Sequence, residues 1–120
     1  MKSHKDLDVW KRAVELSAEV YRKTGAFPKE EIYGMTSQMR RASVSIASNI
    51  AEGAARRTDR DFIHFLHMAL GSASELDTQI EIVIKVGYAD GVAIKELQAE
   101  VGVISKMLYG LIRSVERKNQ

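Results

Sequence analysis

The sequence predicts an all-α fold, an antiparallel up-down-up-down four-helix bundle that assembles as a homo-oligomer. Three observations lead there. Apolar residues recur at three- and four-residue steps through four long segments. The breaks between those segments are short enough to join antiparallel neighbours. The second segment also carries apolar residues on two sides, one more than a monomeric bundle buries.

In the first segment Leu7, Trp10, Ala13, Val14, Ser17, Tyr21 and Thr24 share a stripe, which predicts a helix over about 6–24 with Trp10 and Tyr21 in the core. Gly25 is suited to the left-handed conformation that stops a helix, and Pro28 disfavours helical geometry at Phe27, so 25–28 reads as a turn. The second helix is expected over about 30–56. Its stripe is Met35, Met39, Ala42, Ile46, Ile50 and Gly53, and Glu30 and Glu31 suit a first turn. Val44, Ala47, Ala51 and Ala55 form its second strip, and with the small residues Gly71, Ser72, Ala73 and Ser74 they favour close approach of another copy.

Thr58 and Asp61 are spaced as a capping box, which starts a third helix over about 59–86. Phe62, Phe65, Leu66, Ala69, Ala73, Leu76, Ile80, Val83 and Ile84 supply its stripe, and Gly87 ends it. Asp90 or Gly91 precedes the fourth, over about 92–117, with Ile94, Leu97, Val101, Ile104, Leu108, Leu111, Ile112 and Val115 on one arc. The whole of 1–120 reads as one bundle domain.

Composition narrows the function classes. The chain is 45% hydrophobic with one proline, eight glycines and no cysteine, which excludes collagen-like, linker-like and disulfide-stapled classes along with thiolate chemistry. Charges interrupt every short apolar run of the N-terminal MKSHKDLDVWKRAVEL and no stretch reaches the roughly 18 apolar residues of a membrane span, so the protein is expected to be soluble and cytoplasmic. The formal net charge of +2 is unevenly spread: +1 over 1–35, +3 over 36–60, −4 over 61–90 and +2 over 91–120.

Ser45-Ile46-Ala47-Ser48-Asn49-Ile50-Ala51-Glu52-Gly53 lies inside the second helix although serine, asparagine and glycine are indifferent helix formers. Together with Asp6-Leu7-Asp8-Val9-Trp10, Phe27-Pro28, Gln38-Met39-Arg40-Arg41-Ala42 and Gly71-Ser72-Ala73-Ser74-Glu75-Leu76-Asp77-Thr78-Gln79, it resembles the 23S rRNA intervening-sequence protein family across nearly the whole chain. The resemblance implies a small bacterial four-helix bundle and a homopentamer. That family includes the accessory protein of diversity-generating retroelements, which engages reverse transcriptase and nucleic acid. His4, Ala47 and Asp77 depart from the residues common in the family, and none disturbs the helical pattern.

Arg40, Arg41, Arg56, Arg57 and Arg60 are the candidate nucleic-acid-binding residues, because guanidinium forks pair with phosphates and an oligomer repeats the +3 segment around its axis. Without an aromatic RNA-binding signature, such binding is expected to be directed at the backbone. Asn49, Glu52, Glu75 and Gln79 lie beside apolar stripes and are expected to form a structural polar network that selects helix register. His64 and His67 project away from the third stripe and are expected to be exposed rather than metal ligands. No nucleophile elbow, phosphate loop or paired Glu-x-x-His motif is present, so neither enzyme activity nor a metal or cofactor is expected. The alternative function is a protein-interaction adaptor, such as an accessory subunit for a reverse transcriptase, with no nucleic-acid role.

Overall fold

The structure, a computed structural model, describes residues 3–118. Four helices, α1 (Asp8–Thr24), α2 (Met35–Ala54), α3 (Asp59–Val86) and α4 (Gly91–Arg117), form a four-helix bundle 49 × 21 × 19 Å in extent. Each helix packs on two others: α1 on α2 and α4, and α3 on α2 and α4. They therefore stand at the corners of a square, with no strand among the described residues.

The core runs down the centre of that square. Met39, Ile46 and Ile50 of α2 are fully enclosed, as are Leu66, Leu76, Ile80 and Val83 of α3 and Ile104 and Leu108 of α4. Enclosing each large aliphatic side chain contributes roughly 1.5–3 kcal/mol. The expected stripes of α2 and α4 are buried or packed against the core throughout, and on α3 only Phe65 and Ile84 are partly buried, Ile84 packing against the core.

The expected stripe of α1 needs correction. Its buried residues are Val9, Ala13, Leu16, Val20 and Thr24, whereas Val14 and Tyr21 are exposed and Trp10 is half-buried against the core edge. Both stripes pass through Ala13 and Thr24 at helical spacing, and the aliphatic one turns inward. Gly25 also departs from expectation. It stays right-handed at φ −59°, the Thr24 hydroxyl donates to the Val20 carbonyl at 2.7 Å, and α1 gives way to a turn before Pro28 in which the Phe27 N–H donates to the Thr24 carbonyl at 3.0 Å and Phe27 is buried.

α2 begins at Met35, five residues later than expected, and ends at Ala54, two residues earlier. Glu30 and Glu31 instead occupy a 3-10 turn, Lys29–Glu31, after Pro28. Glu31 still caps α2, accepting the Met35 N–H at 3.3 Å. α3 and α4 follow their predicted signals: Thr58 accepts the Asp61 N–H, Gly87 is left-handed at φ 80°, and Asp90 accepts the Val92 N–H.

One close approach sets the spacing of α2 and α3. A Cβ on Gly53 would stand 2.7 Å from Cβ of Phe65 and 3.0 Å from Cδ1 of Phe62. Gly53→Ala is therefore expected to destabilise the protein by about 1–3 kcal/mol through overpacking, despite alanine's better helix propensity. Gly102→Ala, with nothing within 4 Å of its added Cβ, is expected to stabilise it by about 0.5–1 kcal/mol. Thermal melts of the two variants read both signs. Ile46→Asp places a carboxylate in the enclosed centre and is expected to cost several kcal/mol; native-like melting of that variant would contradict the assigned core.

Candidate nucleic-acid interface

The five candidate arginines do not share one surface. Arg40 and Arg56 are 16 residues apart on α2 and its extension, about 24 Å along the axis at 1.5 Å per residue. Arg40 folds back onto α1. Its Nε donates to Thr24 Oγ1 at 3.0 Å, its Nη2 donates to the Tyr21 carbonyl at 3.3 Å, and its guanidinium lies 4.7 Å from the centre of the Tyr21 ring. A cation there meets the unsatisfied carbonyl end of α1, where the helix dipole favours positive charge. Arg41, one residue on, is turned by about 100° toward α3. It lines a groove of about 440 Å³ with Gln38, Ala42, Ser45 and Glu75, so a carboxylate faces the same space.

Arg56, Arg57 and Arg60 do gather, at the turn between α2 and α3. Arg56 lies 4.5 Å from the Phe65 ring centre and 3.6 Å from Glu52. Arg57 and Arg60 are exposed, and Arg60 lines a cleft of about 520 Å³ with Thr58, Asp59, Ile63 and Glu116. Glu116 belongs to the last turn of α4, so this cleft brings that turn beside the start of α3. Arg113, Arg117 and Lys118 therefore join the same end of the bundle, and the Arg117 Nε donates to the Arg113 carbonyl at 3.3 Å. Six cations from this turn and from α4 stand here against Glu52, Asp59, Asp61 and Glu116, with Lys5, Asp6 and Asp8 of the entry to α1 at the same end. The residues of α4 were absent from the sequence-derived set, although the +2 charge of 91–120 was the signal that could have found them.

The polar residues expected to form one network divide into separate contacts. Asn49 Nδ2 donates to the Ser45 carbonyl at 2.9 Å and to its hydroxyl at 3.0 Å, and Ser72 donates to that same hydroxyl at 2.9 Å, tying α3 to α2. Glu52, one turn further along, points outward to Arg56. On α3, buried Gln79 donates to Glu75 at 3.4 Å, and its own Oε1 is enclosed without a partner among the described residues. Across the α1–α2 seam, Ser17 and Ser43 form a hydroxyl pair at 3.0 Å that the sequence reading did not single out.

Long side chains close the outer seams. Arg12 grips Glu100 through two hydrogen bonds of 2.9 and 2.7 Å, joining α1 to α4. Those bonds, and then the attraction between the charges, hold the Arg12 guanidinium above its ordinary pKa. Arg22 is raised likewise by hydrogen bonds to Glu19 and Glu15. His64 and His67 are exposed, His64 lying edge-on to Phe65 at 5.7 Å. Among the described residues no three His, Asp or Glu side chains are placed to hold a metal ion.

A family model described as 23S rRNA-intervening sequence protein matches residues 5–110. Among solved structures, the chain is similar to a protein of unknown function from the S23 ribosomal protein family of Bacteroides thetaiotaomicron VPI-5482. That likeness has a TM-score of 0.78 at 24% identity and covers 87% of this chain and 97% of the other. No curated protein matches the sequence. The family match covers all of α1, α2 and α3 and most of α4, with Gly53 and the arginine-bearing turn inside it, and the chain belongs to the 23S rRNA-intervening sequence protein family.

Proposed function

We propose that this chain is a non-enzymatic, cytoplasmic, homo-oligomeric bundle, a pentamer, that binds the phosphate backbone of RNA or other nucleic acid through one basic end. The observation that carries this reading is the convergence of Arg56, Arg57 and Arg60 with the cations of the last α4 turns. Arginine and lysine clusters release counterions from phosphates, and cyclic repetition multiplies a modest local charge. The four helices run up-down-up-down, a topology supported by contacts whose partners descend along the chain. Ser17 meets Ser43 and Thr24 meets Arg40 between α1 and α2; Ser45 meets Ser72 and Gly53 meets Phe65 between α2 and α3.

Light scattering is expected to give about 67 kDa, five copies of 13.4 kDa. A stable monomer at micromolar concentration overturns the assembly. Gel-shift titration with single-stranded and duplex RNA at two salt concentrations is expected to show affinity that falls steeply with salt and depends little on sequence. Arg57→Gln, Arg60→Gln and Arg117→Gln combined should weaken binding and flatten the salt slope by about one unit per lost phosphate contact. Lys85→Gln, Lys95→Gln and Lys106→Gln combined remove the same charge elsewhere and should leave the slope near that of the unaltered protein. No binding at low salt, or equal flattening by both triple variants, overturns the basic-end site and leaves the adaptor reading.

A further inference from the structure

Rings stand among the charges at the basic end. Phe65 belongs to the apolar stripe of α3 and sets its Cβ against Gly53 of α2, yet it is only partly buried. The Arg56 guanidinium stands over the Phe65 ring, 4.5 Å from its centre. The His64 ring meets the same ring edge-on, with centres 5.7 Å apart and planes at 74°. Phe65 therefore backs two planar groups that remain outside: His64 is exposed, and the Arg56 side chain keeps 47% of its surface in solvent.

Little else engages these groups. Arg56 approaches Glu52 at 3.6 Å, an exposed ion pair longer than a hydrogen bond and of small energetic worth. Arg57 and Arg60 are exposed and make no hydrogen bond or ion pair among the described residues. Arg60 precedes His64 by four residues, so the two lie on the same side of α3.

Charge and rings favour different forms of nucleic acid. A duplex carries the denser phosphate charge, and log affinity falls with log salt by about 0.9 per neutralised phosphate against about 0.7 for a single strand. Cations alone therefore prefer the duplex. Rings act the other way, because base faces are stacked inside a duplex but open in a single strand, where they stack on aromatic side chains and on guanidinium planes. Every base has such a face, so this stacking is tolerant of sequence.

We propose that the basic end takes single-stranded nucleic acid in preference to duplex, with unpaired bases stacking on the Arg56 guanidinium and the His64 ring while Arg57 and Arg60 hold the flanking phosphates. This rests on the nucleic-acid reading above and names the form that the site accepts. Phe65 is a positioning residue that fixes both planar groups from behind.

The test compares a hairpin-free RNA strand of about 12 nucleotides with its duplex in gel-shift titrations. At about 200 mM salt, where phosphate contacts are weakened, the unaltered protein is expected to hold the strand more tightly than the duplex by about 5-fold or more. Arg56→Lys combined with His64→Ala keeps the arginine's charge and removes both planar groups. It is expected to lower single-strand affinity by about 5–100-fold while leaving duplex affinity and the salt slope unchanged. Both sites are exposed, so circular dichroism and thermal melting should remain native-like. His64→Trp enlarges the ring and is expected to tighten binding of the single strand alone. Equal or tighter binding of the duplex by the unaltered protein, or a double variant that weakens both forms alike or neither, overturns the stacking inference and leaves phosphate binding at the basic end in place. No binding of either form at low salt overturns both.

Discussion

Gly53 has no side chain, and Phe62 and Phe65 take the space that one would occupy. The Cβ it lacks would stand 2.7 Å from Phe65, so this crossing sets how closely α2 approaches α3. The consequences spread along both helices. Seven to eight residues away on each, the Ser45 and Ser72 hydroxyls meet at 2.9 Å, a distance that tolerates little separation of the backbones. Short polar side chains in α2 are poor helix formers but suit a seam this tight, where longer ones would hold the helices apart. Local propensity gives way to packing over this stretch.

The other side of α2 is joined to α1 by different means. Ser17 and Ser43 meet across the seam, and Arg40 reaches to Thr24 and Tyr21, placing its charge at the carbonyl end of α1. That use of Arg40 commits its donors within the fold and sets it apart from Arg57 and Arg60, which remain exposed. Adjacent arginines in sequence thus have unlike surroundings, because a single helical step turns Arg41 away from α1 and into the groove with Glu75.

The helix count, the stripes of α2, α3 and α4, and the signals at Thr58, Gly87 and Asp90 were legible because each depends on local chemistry or on an uninterrupted period. The stripe of α1 was misread because two sets of residues have helical spacing, and aromatic size gave weight to Trp10 and Tyr21. Only the position of α2 decides between those sets, and Arg40 stacks on the aromatic that stays outside. The start of α2 was misplaced because Glu31 caps it through a side chain four residues upstream, while the backbone between is still in turns. At the candidate interface, three of the five arginines belong together. The remaining cations there come from α4, some fifty residues further along, and become neighbours only through tertiary packing.

The assembly reading and the basic end bear on each other through symmetry. A cyclic ring aligns every copy in the same sense, so all the ends carrying Arg57, Arg60 and Arg117 share one rim. The acidic stretch of α3 from Glu75 to Glu81 lies away from that rim, nearer the other end of each bundle. Exposed charges act on one another over a Debye length of about 8–10 Å at physiological salt, so cations within one end reinforce each other more than cations on neighbouring copies do. A nucleic-acid strand long enough to cross several copies experiences their sum, because each phosphate contact releases counterions independently. An isolated copy, whose basic end interleaves cations with carboxylates, offers only a weak phosphate site. On the proposed function, loss of assembly therefore reduces nucleic-acid affinity even with every arginine in place.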